Sequence, residues 1–138
     1  MGLFGKKKEK THSIKYVVLT NGLPNFMSDC VIEIIINEAN NCMNFIESSN
    51  NHATASLPFE KIIRLETGTK IGVVPKTLSK NEPRVLQTLK IIYYSNGEEK
   101  EINLCETNNY GTAPFNLLKT LLNINIQKNT SAPTHIDL

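Results

Sequence analysis

The sequence predicts a mainly β protein, a small antiparallel barrel or roll of about seven strands closed by one C-terminal α-helix. Three observations predict this class: short strand-like runs separated by turn residues, an Asn-Gly pair between two such runs, and one amphipathic stretch near the C-terminus. A chain of 138 residues with 40% hydrophobic residues has the material for one core. We expect a flexible basic leader over residues 1–12, one domain over 13–127 and a flexible tail over 128–138.

Four strands are predicted in the first half of the chain. Residues 14–20 are rich in β-branched and aromatic residues, and a turn containing Pro24 follows them. Residues 31–37 form a nearly continuous apolar run, typical of a strand buried on both faces or of one at a tight closure. Residues 42–47 return as its hairpin partner, and the small residues of 53–57 form a short strand that Pro58 ends.

The middle of the chain predicts a strand over 60–66, a turn over 67–70 and a short strand over 71–74. Residues 76–84 contain mainly polar and charged side chains and are expected to form an exposed loop.

A hairpin over residues 86–105 is the best-defined element. Asn96 and Gly97 both tolerate the positive φ of a two-residue loop, so residue i should face the residue for which the two numbers sum to 96 + 97 = 193. This register leaves Glu99 and Glu101 on the exposed face. It places four apolar residues on the buried face: Leu89, Ile91, Ile102 and Leu104.

The closing helix is predicted to begin near Thr112, a suitable N-cap, with Pro114 in its first turn. Three apolar residues form its buried stripe: Phe115, Leu118 and Leu122. We expect about twelve residues of helix, because Asn123 and Asn125 weaken its end.

Composition excludes several classes of protein. A net charge of +2 is small for a dedicated nucleic-acid binder, and no apolar run approaches the length of a membrane span. The N-terminus lacks the apolar region of a secretion signal. Three cysteines without CxxC spacing (Cys30, Cys42 and Cys105) indicate free thiols in a reducing compartment. We therefore expect a cytoplasmic protein.

Three segments, LPFEKIIRLE (57–66), LKIIYYSNGEEKEINL (89–104) and PFNLLKTLLNI (114–124), occur in the order seen in one known family. With them, the C-terminal two thirds of the chain resembles the pleckstrin-homology-like barrel, including its bacterial stand-alone and GRAM-type relatives. The resemblance implies binding and not catalysis. Lipid-binding members carry Lys and Arg in the loop after the first strand and on the next strand, whereas residues 21–37 here contain neither. No specific inositol-lipid binding is therefore expected.

Two segments are candidate interaction sites. The leader is either a solvated start or a tether to an anionic membrane surface, and a tether would use Leu3, Phe4, Lys6, Lys7, Lys8 and Lys10. A peptide partner or a second copy could add to a sheet edge formed by Ala53, Thr54, Ala55, Ser56 and Leu57.

No catalytic, metal or cofactor motif is present, so we expect a non-enzymatic interaction or adaptor module without a cofactor. His12, His52 and His135 fall in the leader, a turn and the tail. Glu33 stands alone in an apolar run, where it either faces solvent at an edge or serves in catalysis.

A nucleic-acid-binding β-barrel is the alternative. It would use a basic stripe of the leader lysines with Lys76, Lys80, Arg84 and Lys90, beside the stacking faces of Tyr93, Tyr94 and Tyr110. The negative charges of Glu98, Glu99 and Glu101 beside those tyrosines argue against it, because they repel phosphate.

Overall fold

The structure, a computed structural model, describes residues 11–48, 53–72, 84–106 and 113–131. These residues form seven strands, one 3₁₀ turn and one α-helix. Their bounds are β1 Thr11–Asn21, β2 Cys30–Asn37, β3 Cys42–Glu47, β4 Thr54–Pro58, the 3₁₀ turn Phe59–Lys61, β5 Ile62–Gly72, β6 Arg84–Ser95, β7 Glu98–Cys105 and α1 Ala113–Ser131.

All seven strands belong to one antiparallel sheet with the order β4-β3-β2-β1-β7-β6-β5. Strands β1 to β4 form one meander and strands β5 to β7 form a second. The pairing of β1 with β7 joins the two meanders. The two edge strands, β4 and β5, are connected by the three-residue 3₁₀ turn, so the chain brings both edges to one corner. The predicted class is confirmed, and the sheet is an open roll because β4 and β5 do not pair.

β2 shows how the sheet divides into two faces. Ile32, Ile34 and Ile36 are each 0% exposed, while the residues between them are partly exposed. The apolar run therefore alternates between the core and the outer face, and the strand is fully buried on one face only, not on both as its composition predicts. The core side packs against the apolar face of α1 and the side chain of Phe59.

The β6–β7 hairpin confirms the predicted register at every pair from Leu89↔Leu104 to Tyr94↔Glu99. Asn96 and Gly97 have φ values of 53° and 82°, as the two-residue loop requires. The four apolar residues predicted on the buried face are at most 1% exposed, and Glu99 and Glu101 are exposed.

The predicted turn over 67–70 is wrong, since β5 is one continuous strand through this segment. Thr67 pairs with Leu89 and Lys70 with Leu86, so the ladder with β6 continues without interruption to Gly72. The twelve-residue β6 provides backbone groups along the whole length of β5. Pairing with this neighbour outweighs the local turn preference of Gly68, and the β-branched threonines beside it favour a strand.

The helix is longer than predicted. Its stripe is buried as expected, with Phe115, Leu118 and Leu122 at most 2% exposed. It continues through Asn125 to Ser131, into the region predicted to be a tail. The Asn125 Nδ2 group donates to the Leu121 carbonyl at 2.8 Å and to Glu38 Oε2 at 3.1 Å. These contacts stabilise the helix where its own sequence disfavours it.

The sheet also begins earlier than predicted. Thr11 and His12, which we assigned to the leader, belong to β1 and pair with Asn37 and Ile36. His12 Nε2 lies 3.6 Å from Glu38 Oε1. Strand pairing therefore includes two residues that local sequence assigns to a polar leader.

Candidate functional site

The predicted interaction edge coincides with β4, one of the two sheet edges. Of the seven described strands, β4 pairs with β3 alone, and Ala55 lies opposite Phe45. Thr54 and Ser56 are exposed on the outer face, Ala55 is half-buried, and Leu57 is a core residue at 4% exposed. The small side chains leave room for another backbone to approach this strand, as an added strand requires.

A cavity of about 370 Å³ lies at the end of the sheet where β3 leads toward β4. It is lined by the residues that precede and begin β2, including Asp29 and Cys30, and by Glu47 and Ser48 at the end of β3. The backbone N–H of Glu47 donates to the Ala53 carbonyl at 2.8 Å. The cavity and the start of the edge strand therefore lie side by side.

Glu47 gives this cavity its chemistry. Its side chain is 1% exposed, and among the described residues neither carboxylate oxygen has a hydrogen bond of regular geometry. The Cys30 thiol interacts with it only weakly as a sulfur donor. A buried carboxylate without a strong partner is costly, and Asp29 in the same cavity adds negative charge. The arrangement favours a cationic group such as the head of a Lys or Arg side chain.

Sequence reasoning missed Glu47. The signal was available, because Met43, Phe45 and Glu47 alternate along one predicted strand and must share a face. An assignment of Met43 and Phe45 to the core would have placed the carboxylate there too. Both apolar residues are 0% exposed in the structure.

Glu33, the carboxylate that the sequence singled out, is not at an edge. β2 lies between β1 and β3, and the half-buried Glu33 side chain accepts a hydrogen bond from the Ser13 hydroxyl on the outer face. A neighbouring hydroxyl accounts for its position within the sheet.

The three cysteines are free thiols, as predicted. Burial raises the pKa of the Cys105 thiol above its ordinary value of 9.0, and nearby Lys70 partly offsets this. Burial, followed by the negative charge of Glu47, also raises the pKa of Cys30. Both thiols are held in their protonated form. Within the described ranges, no group of three or more His, Cys, Asp or Glu residues is arranged to hold a metal ion.

The raised pKa of Cys105 predicts a loss of stability at high pH. The thiol ionises more easily in the unfolded chain, so its contribution is complete below the ordinary value of 9.0 and is lost as the pH rises through the higher folded value. In urea titrations at pH values from below to above 9.0, we expect the unfolding free energy of the wild type relative to Cys105→Ala to fall as the pH rises. A difference that stays constant over this range would contradict the predicted effect.

The residues of the alternative nucleic-acid stripe are only partly described. Lys90 Nζ lies 3.3 Å from Glu101 Oε1 and 4.0 Å from Glu66 Oε1, so two carboxylates flank its ammonium group. Tyr94 is 52% exposed, whereas Tyr93 is half-buried. Other residues of the stripe lie outside the described part of the chain: Lys76, Lys80, Tyr110 and the side chain of Arg84. His52, assigned to a turn by the sequence, lies outside it as well.

The predicted membrane tether, with Leu3, Phe4 and the leader lysines, also lies outside the described residues, as does His135. The tether therefore stays a prediction. In the described part of the chain, no helix has the length and apolar character needed to cross a bilayer.

The fold places the chain among mainly β proteins with one rolled antiparallel sheet and a C-terminal helix. No protein-family model matches the sequence, and no curated protein matches it either. The likeness to pleckstrin-homology-like domains stays a prediction.

Proposed function

We propose that the protein is a non-enzymatic protein-interaction module that binds an extended segment of a partner along the β4 edge. The observation that carries this proposal is the position of β4: an edge strand of small residues beside a cavity with a buried carboxylate. Strand addition supplies main-chain hydrogen bonds, and side-chain pockets supply selectivity.

The cavity suggests which partner segments bind best. Ala53 precedes β4 and its carbonyl accepts the Glu47 N–H, so the carboxylate lies next to the start of the edge. An added strand sends every second side chain toward the core face of the sheet, where Glu47 lies. A Lys or Arg of the partner that lies beside the start of β4 would place its cationic group in the acidic cavity. The preferred ligand is therefore an extended peptide with one basic residue.

Nucleic-acid binding receives less support. The described basic residue of that stripe, Lys90, contacts two carboxylates. A phosphate would meet these negative charges as well as the lysine, and the exposed Glu99 lies opposite Tyr94, one of the proposed stacking residues. The peptide edge is the better-supported site.

A displayed library of random extended peptides, selected against the full chain, tests the proposal. Selected peptides should be enriched for Lys or Arg at one position, and Glu47→Gln should remove that preference. Ala55→Pro and Ser56→Pro are compared because neighbouring N–H groups in a strand point to opposite sides. The variant that keeps the circular dichroism spectrum and thermal midpoint of the wild type has lost a backbone N–H that points away from β3. It should bind the selected peptides at least about tenfold more weakly than the wild type does. Unchanged binding by that folded variant would contradict the proposal.

A further inference from the structure

β5 forms the second edge of the sheet and is more than twice as long as β4. It extends over Ile62–Gly72 and, among the strands that the structure describes, pairs only with β6. Most of its side chains are exposed beyond Ile62. Long exposed edges offer unpaired N–H and C=O groups to another chain, and proteins commonly cover or interrupt them. Within the described ranges, no strand pairs with this edge.

The residues of β5 have a self-complementary order around Gly68. At equal distances before and after this glycine lie Thr67 and Thr69, then Glu66 and Lys70, then Leu65 and Ile71. A two-fold axis at Gly68 pairs an antiparallel copy so that the two residue numbers sum to 68 + 68 = 136. Each Glu66 then faces a Lys70 of the other copy, and each Leu65 faces an Ile71. We propose that two copies of this chain associate by pairing their β5 edges about Gly68.

The charges on the outer face support this register. Glu66 accepts a hydrogen bond from Arg64 Nε at 3.0 Å and lies 4.0 Å from Lys90 Nζ, so it is already oriented along the surface of the sheet. In the dimer it would lie between Lys90 of its own chain and Lys70 of the second copy. Symmetry forms this contact twice, and opposite charges on facing strands are favourable.

The apolar side chains on the other face support the same register. Ile71 is 74% exposed and pairs with Val85, which is 65% exposed. In the dimer, Leu65 of the second copy would lie beside Ile71, and Leu65 is paired with the core residue Ile91 in its own sheet. The row Val85, Ile71, Leu65, Ile91 would then cross the interface without a polar interruption. Burial of the exposed pair favours association.

Neighbouring registers lose these pairs. If the sum of the facing residue numbers is 134, Arg64 faces Lys70 and two like charges oppose each other. If the sum is 138, Glu66 faces Gly72 and the charge pairs are absent. A slip by one residue places Leu65 opposite Lys70. The two-fold register at Gly68 is therefore preferred over its neighbours.

Charge reversal tests the pairing because the same two residues form both contacts. Glu66→Lys places lysines opposite each other twice, and Lys70→Glu places glutamates opposite each other twice. Sedimentation equilibrium of the full chain should show a dimer at micromolar concentrations, weakened about tenfold or more by each single reversal. The double variant Glu66→Lys with Lys70→Glu should restore the dimer, since the pairs form with their charges exchanged.

Glu98→Lys is the matched control, because it reverses an exposed charge in β7, away from the β5 edge. It should leave the dimer intact, and circular dichroism should show that every variant is folded. A wild type that stays monomeric at about 100 µM would overturn the proposal, because its dissociation constant would be too weak for a stable dimer. A double variant that dimerises no more strongly than the single variants would also overturn it. The folded proline variant of β4 should still dimerise, so this inference and the proposed function fail separately.

Discussion

Ile91→Ala is expected to lower the unfolding free energy by about 2–5 kcal/mol, the range for truncating a buried isoleucine to alanine. Ile91 is 0% exposed and pairs with Ile102 on one side and Leu65 on the other, near the middle of the β5–β6–β7 half of the sheet. Truncation leaves a cavity that these neighbours, held by strand ladders, cannot fill by moving. Urea unfolding followed by circular dichroism measures the change.

Glu99→Ala is the control for this prediction. It removes an exposed side chain from the partner strand of the same hairpin, opposite Tyr94. Its expected effect is within about 0.5 kcal/mol, as for most surface substitutions. Equal destabilisation by the two changes would show that the buried and exposed faces of the hairpin are assigned incorrectly.

Removal of α1 by truncation after Tyr110 is expected to abolish cooperative folding. The helix covers the core side of the sheet with Phe115, Leu118 and Leu122, each at most 2% exposed, and without it that apolar surface would face water. Exposed patches of this kind favour aggregation. Thermal unfolding and sedimentation check the result, and a truncated chain that stays monomeric and unfolds cooperatively would contradict the packing.

A pair of point substitutions tests the same helix in the full chain. Leu118→Ala removes a side chain that is 0% exposed and should cost about 2–5 kcal/mol. Leu117→Ala makes the same chemical change one residue earlier, where the side chain is 45% exposed, and should cost much less. A similar loss for both leucines would contradict the buried stripe.

Local sequence signals were sufficient where neighbouring residues along the chain decide the structure. Asn96-Gly97 determines its own turn, and the alternating residues on both sides of it must then face each other. The same holds for the hairpin of β2 and β3, and for the apolar stripe of α1. In each case the interacting residues are close in sequence, so the pattern contains the answer.

The predictions that were wrong concern contacts between residues far apart in sequence. The segment 67–70 is a turn by composition, yet it is a strand because β6, some twenty residues later, pairs with it. Asn125 ends a helix by propensity, yet the helix continues because Glu38, 87 positions earlier, accepts its amide. Both are cases of tertiary contacts outweighing local preference.

The sequence by itself determined the class of fold, the hairpin register and the buried faces of that hairpin and of the C-terminal helix, because periodicity reports which side chains share a face. Only the tertiary structure decided that the sheet stays open, that β4 and β5 are its two edges, and that Glu47 is buried beside one of them. Strand order depends on which distant segments pair, and no local pattern records that choice. The charge symmetry around Gly68 was present in the sequence, but it acquired a meaning only when β5 proved to be a continuous edge strand.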